Sequence, residues 1–154
     1  MEENLQFFAQ SQGLREEVLH AAVEKNIVRF GLGERRRQKT GELSHGWRQR
    51  LKLAVALVHN PGVLLLDEAT AGIDPVGRQE LWNIIVESAR AGMAVLLSTH
   101  HMDEAERCDR IGYLSDGALV LSGSPQELRA RAAEQRGSPL PMTEALAELV
   151  KAAR

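Results

Sequence analysis

The segment Val63–Pro75, VLLLDEATAGIDP, constrains the fold of this chain more than any other. An apolar run, Val63-Leu64-Leu65-Leu66, stops abruptly at two adjacent carboxylates, Asp67 and Glu68. A short unbroken apolar run of this kind predicts a strand buried on both faces, as in a parallel sheet, that stops at a sheet edge. In open parallel α/β sheets, ligands bind just outside the carboxyl ends of the strands. Asp67 and Glu68 are therefore candidates for holding a metal and activating a water. These residues alone leave the alternative open, a solvated loop pair after a core strand.

The segment after the acids supports a βαβ unit. Ala69–Asp74 reads as a loop of small residues, and Asp74-Pro75 as a helix N-cap followed by proline at the first helical position. The helix is expected to run to about Arg90, with Leu81, Ile84, Ile85 and Ser88 facing inward, and Ala91-Gly92 closes it. Met93–Leu97 reads as a second, parallel strand ending in Ser98-Thr99-His100-His101. Strand, helix, strand predicts a right-handed crossover. Both strands then end in polar residues on one edge. That coincidence joins His100, which alone reads more readily as a core histidine, to Asp67 and Glu68.

Upstream, residues 2–11 and about 14–30 read as helices, with Leu5, Phe8 and Ala9 on one side of the first. In the second, Val18, Leu19, Ala22, Val23, Ile27 and Phe30 fall near helical spacing. The run Arg35-Arg36-Arg37-Gln38-Lys39 reads as a solvated loop. Ser44 stands at the N-cap of a helix expected over Trp47–His59. Ser44 and Gly46 before a helix N-terminus form an anion-binding arrangement of free N–H groups, a hydroxyl and the positive dipole end. An ordinary N-cap is the other reading of Ser44.

Downstream, Met102–Arg107 reads as a short helix, with Glu104 at the surface. Arg110–Leu114 and Ala118–Leu121 read as a hairpin turning at Asp116-Gly117. Gln126–Gln135 and Thr143–Ala153 read as terminal helices.

Composition narrows the class. The 154 residues hold 44% hydrophobic and 26% charged side chains, ordinary for one globular domain. A net charge of −2 gives no bulk electrostatic case for nucleic acid. The single cysteine, Cys108, excludes an internal disulfide and fits a reducing compartment, as a small apolar filler. No apolar run is long enough to span a bilayer and no signal peptide is expected, so a role at a membrane would pass through a partner.

Four motifs in order resemble the ATP-binding domain of ABC transporters, most closely the ABC-2 type exporters of drug and polysaccharide efflux. Leu43-Ser44-His45-Gly46-Trp47-Arg48-Gln49-Arg50-Leu51 resembles the signature motif, and Val63–Glu68 the Walker B strand. Ala71-Gly72-Ile73-Asp74 resembles the D-loop, and Ser98-Thr99-His100 the switch-histidine strand. His45 stands where the family usually has glycine, Trp47 where it has glutamine, and Ala69 where it has proline. His45 could crowd the phosphate contact. No GxxxxGK[ST] occurs, so the P-loop that holds the β- and γ-phosphates is not in this sequence.

The resemblance implies a partial P-loop NTPase core of α/β class, similar to the C-terminal part of the family's domain. Residues 1–46 would be the end of the glutamine loop and the helical signature subdomain. Residues 47–123 would be the second half of the ATPase core, and 124–154 a helical tail. It also implies ATP and Mg²⁺ as ligands. Asp67 would hold the metal and Glu68 would be the general base. His100 would sense the γ-phosphate, with His101 a bystander. Ser44 and Gly46 would bind the γ-phosphate held by the other subunit, and Asp74 would shape the dimer face. Partners would be a second ATPase domain, head to tail, and a separate membrane permease; no nucleic acid is expected. The setting would be cytoplasmic, at the inner face of the plasma membrane.

Two other readings remain. One is a catalytically incompetent fragment serving as an interaction module. The other is a soluble ABC ATPase acting on ribosomes, which Thr70-Ala71-Gly72-Ile73-Asp74 argues against because that branch reads NHLD there.

Overall fold

The computed structural model describes residues 1–152, so Ala153, expected at the end of the last helix, lies outside the described residues. The chain divides into two compact units, residues 1–98 and 99–154.

In the first unit, helices α1 (Glu2–Ser11), α2 (Glu16–Arg29) and α3 (His45–Leu57) pack on one another. Their buried positions recur at helical spacing: Leu5 and Ala9, then Leu19, Val23 and Ile27, then Leu51, Ala54 and Leu57. Phe8 and Val18 differ from expectation and stand exposed. Each lies next to a residue that takes the inward position, Ala9 and Leu19. Helix α2 stops at Gly31, whose positive φ of 63° lets the Leu32 N–H turn back to the Ile27 carbonyl at 2.8 Å. In the basic run that follows, Arg36 is paired rather than simply solvated. It bonds Glu2 and Glu24, each at 2.8 Å.

Strand β1 (Val63–Asp67), helix α4 (Pro75–Arg90) and strand β2 (Ala94–Ser98) form the βαβ unit. The strands are parallel, in register Val63↔Ala94, Leu65↔Leu96 and Asp67↔Ser98. Helix α4 packs on β2 and buries Leu81, Ile84, Ile85 and Ser88, the four residues its period selects. Arg29 ties α2 to α4, donating to Ser88 Oγ at 2.8 Å and to the Ile84 carbonyl at 3.2 Å.

One expectation fails here. The strands are not buried on both faces. Leu64 is buried, but Val63, Leu65 and Leu96 are 62%, 71% and 69% exposed. Period 2 puts these three on one face, together with Asp67 and Ser98. The apolar run reads as doubly buried because a parallel sheet needs both faces covered. In this chain one face stands open.

The second unit contains the short helix α5 (Met102–Ala105), the hairpin β3 (Ile111–Ser115) and β4 (Ala118–Gly123), and helices α6 (Pro125–Arg136) and α7 (Met142–Ala152). Asp116 and Gly117, at φ of 51° and 78°, make the two-residue turn that the Asp-Gly pair predicts. Ser124 and Glu127 form a capping box at the start of α6, and Gly137 ends it in the left-handed conformation. Its core is Ala105, Ile111, Leu121, Leu128, Ala132, Met142, Ala145, Leu146 and Leu149.

Candidate functional site

Asp67 is the last residue of β1 and stands exposed on the open face of the sheet. Across the register, Ser98 Oγ donates to Asp67 Oδ1, which fixes the carboxylate at the strand ends. Glu68 follows at once with φ of 43°, in the left-handed region that a non-glycine residue rarely adopts. Its N–H donates to the Ser98 carbonyl at 3.1 Å, extending the ladder one step past β1. Its own carbonyl accepts the Ala71 N–H at 3.1 Å, starting the next turn. Strained backbone of this kind clusters at functional sites. Two exposed acids, one clamped by a hydroxyl and one aimed by its backbone, suit metal and water chemistry.

The loop 69–74 is braced from within. The Ile73 N–H reaches the Thr70 carbonyl at 3.3 Å, and the Thr70 and Ile73 side chains are buried. Asp74 caps α4: Oδ1 accepts from Gly77 N at 3.0 Å and Val76 N at 3.1 Å. Gly77 is required by that approach, since a Cβ there would lie 2.9 Å from Asp74 Oδ2. The Gly77 N–H, then the Val76 N–H, hold the Asp74 carboxyl below its ordinary range, and Arg50 adds to this.

A group whose native pKa is lowered stabilises the fold above its unfolded value, and this contribution is lost as pH falls through the native one. The thermal midpoint should therefore drop as pH falls below about 4. Asp74→Asn, which keeps a capping side chain, should make that acid limb shallower; an unchanged slope would remove Asp74 from it.

The third part is the start of α3. Ser44 is the N-cap residue, as expected, but its side chain makes no capping bond. The helix begins two residues earlier than expected, at His45. The first intrahelical bond runs from Arg48 N to the Ser44 carbonyl at 3.0 Å, so earlier amides of the first turn point outward as orphan donors. Gly46 lies beside Ile73: a Cβ there would be 3.9 Å from Ile73 Cγ2. Segment 44–46 thus stands against the loop before Asp74. Two guanidiniums lie over the Trp47 ring, Arg35 at 4.7 Å and Arg50 at 5.2 Å from its centre. Arg50 also pairs with Glu80 on α4.

His100 belongs to the second unit, on the segment that precedes α5. Its ring lies 4.1 Å from that of His101. Glu104 corrects the expectation of a surface residue: it is only 3% exposed. Thr99 Oγ1 donates to Glu104 Oε2 at 2.6 Å and itself accepts the His101 N–H at 3.0 Å. A buried carboxylate therefore braces the histidine-bearing turn. Ser98 and Glu104 were both missed as supporting residues. For Ser98 the register signal was present, because both strands end at the same level.

Among the described residues, no cluster of three metal-ligating side chains occurs. Mg²⁺ does not need one, since it keeps waters and takes one or two carboxylates plus phosphate oxygens. Asp67, with only Oδ1 engaged by Ser98, fits that mode.

A family model described as ABC transporter matches residues 1–71. The "Probable multidrug ABC transporter ATP-binding protein YbhF" of Escherichia coli is 40% identical over 150 residues, which are 97% of this chain and 26% of that protein. The human "Retinal-specific phospholipid-transporting ATPase ABCA4" is 36% identical over 128 residues, covering 82% of this chain and 6% of that protein. A solved "ATP binding subunit of ABC transporter" superposes with a TM-score of 0.82 at 28% identity, over 96% of this chain and 61% of that one.

Residues 1–71 match the ABC transporter family, and nearly the whole chain is similar to ABC transporter ATP-binding proteins.

Its fold is the α/β fold of an ABC ATPase core with parallel strands, preceded by helices and followed by a small antiparallel hairpin and further helices. The chain spans about a quarter of the length of the YbhF relative. Among the described residues, no helix of this chain is long and apolar enough to cross a membrane.

Proposed function

We propose that this chain carries the signature and catalytic-carboxylate part of an ABC exporter ATPase, whose hydrolysis of ATP drives efflux through a separate membrane permease. The observation that carries the reading is the open sheet face. Val63, Leu65 and Leu96 form an exposed apolar surface that leads directly to Asp67, Ser98 and Glu68. A layer bearing the P-loop, from a segment outside these residues, would cover that face and bring its phosphate nest to the two acids.

In the assembled site Asp67, held by Ser98, is the metal carboxylate. Mg²⁺, when bound, supplies charge neutralisation on the phosphates. Glu68 accepts a proton from the attacking water. Ser44, with its free hydroxyl, and Gly46, with orphan helix amides, suit the γ-phosphate of the nucleotide on a second ATPase domain. Asp74 stands beside them, at the face toward that domain. His100 is the γ-phosphate sensor, supported through Thr99 by Glu104. Such a protein works at the cytoplasmic face of the plasma membrane through its permease.

The test is ATP binding and turnover with Mg²⁺, by the chain alone and combined with a P-loop-bearing segment. The combination should bind and hydrolyse ATP and the chain alone should not. Equal turnover by the chain alone would overturn the half-site reading.

A further inference from the structure

We propose that His45 is a latch that couples the start of α3 to the loop 71–74, making the two elements move as one. His45 Nε2 lies 2.8 Å from the Ala71 carbonyl oxygen. A carbonyl only accepts, so Nε2 carries the hydrogen and His45 donates. The ring rests against Gly72: a Cβ on Gly72 would lie 3.1 Å from His45 Cδ2 and 3.2 Å from Nε2. Gly72 has φ of 70°, which lets the loop turn its Ala71 carbonyl toward the ring.

The contact continues along α3. Gly46 meets Ile73, and one turn later Arg50 pairs with Glu80 and faces Asp74. A glycine at position 45 has no side chain and makes no such bond. The histidine is therefore engaged by the loop of its own chain.

This inference rests on the functional reading above. Ser44 and Gly46 on one side and Asp74 on the other are proposed to face the second domain. With the latch closed, the two elements approach that domain as one rigid body. His45 is thus a positioning residue. It holds the loop carbonyl and does not itself meet the reacting atoms.

The test is amide hydrogen exchange of this chain. His45→Phe keeps a ring over Gly72 and removes the donor. His45→Gln returns a donor at similar reach. Losing one hydrogen bond should speed exchange at Ala71, Gly72 and Ile73 by about tenfold in His45→Phe, with the core amides of α3 unchanged. His45→Gln should restore rates close to the original. Unchanged exchange at these loop amides in His45→Phe would overturn the latch. Equal acceleration throughout α3 and α4 would also overturn it, because that reports global loosening. If the assembled protein fails to hydrolyse ATP, the functional reading falls while the exchange result still decides the latch.

Discussion

Glu68→Gln is expected to stop turnover while leaving ATP binding intact in the protein completed by a P-loop-bearing segment. Glu68 is aimed by its backbone: φ of 43°, the N–H held by the Ser98 carbonyl, the carbonyl held by the Ala71 N–H. None of these bonds uses the carboxylate, and glutamine has the same shape, so the local backbone should persist. What is lost is a group able to take a proton. A positioned general base is worth about 10²- to 10⁴-fold, and a loss of that size should appear in kcat. The nucleotide affinity should change little, because the phosphates are held by other groups. Steady-state hydrolysis and equilibrium binding on the same preparation separate the two effects. Hydrolysis at the original rate would remove Glu68 as the base.

Leu65→Lys should leave this chain about as stable as before and break its union with the P-loop-bearing segment. Leu65 is 71% exposed, opposite Leu96 on the open sheet face. A surface substitution costs little in the chain alone, within about 0.5 kcal/mol. Buried under a second layer, the same position loses about 1.5–3 kcal/mol of apolar transfer and gains a charge to desolvate. The affinity for the covering segment should fall by about 100-fold or more. Leu64 is the contrast on the covered face. It is buried already, and Leu64→Ala should cost this chain about 2–5 kcal/mol of stability by itself. Sedimentation of the mixture and thermal melting of the separate variants distinguish these outcomes. Undiminished association of Leu65→Lys would show that the covering layer does not lie on this face.

The local chemistry of the sequence predicted most elements well. Asp74-Pro75 states a cap and a first helical residue, and both occur. The 3.6-residue period of α4 named four of its buried residues, Leu81, Ile84, Ile85 and Ser88, and missed Gly77 and Trp82. Asp116-Gly117 named its turn. The failures came from properties that depend on what covers a surface. Val63-Leu64-Leu65-Leu66 states only that its residues are apolar, so the open face on Leu65 was hidden by the same run that predicted the strand. Glu104 was hidden for the opposite reason. A carboxylate in a short acidic helix reads as solvent-facing, whereas Glu104 is buried and accepts from the Thr99 hydroxyl. His45, read as able to crowd an anion site, also makes a contact that the sequence did not suggest, with its ring engaged by the Ala71 carbonyl. That contact joins segments 26 residues apart, beyond any local pattern.

If the acids and the helix start of this chain belong to one ATP site, that site needs a phosphate nest from elsewhere. Calorimetric titration of ATP with Mg²⁺ tests it most directly, on the chain alone and then on the chain combined with a P-loop-bearing segment. No saturable binding is expected by the chain alone at about 100 μM nucleotide, and micromolar binding by the combination. Micromolar binding by the chain alone would contradict it.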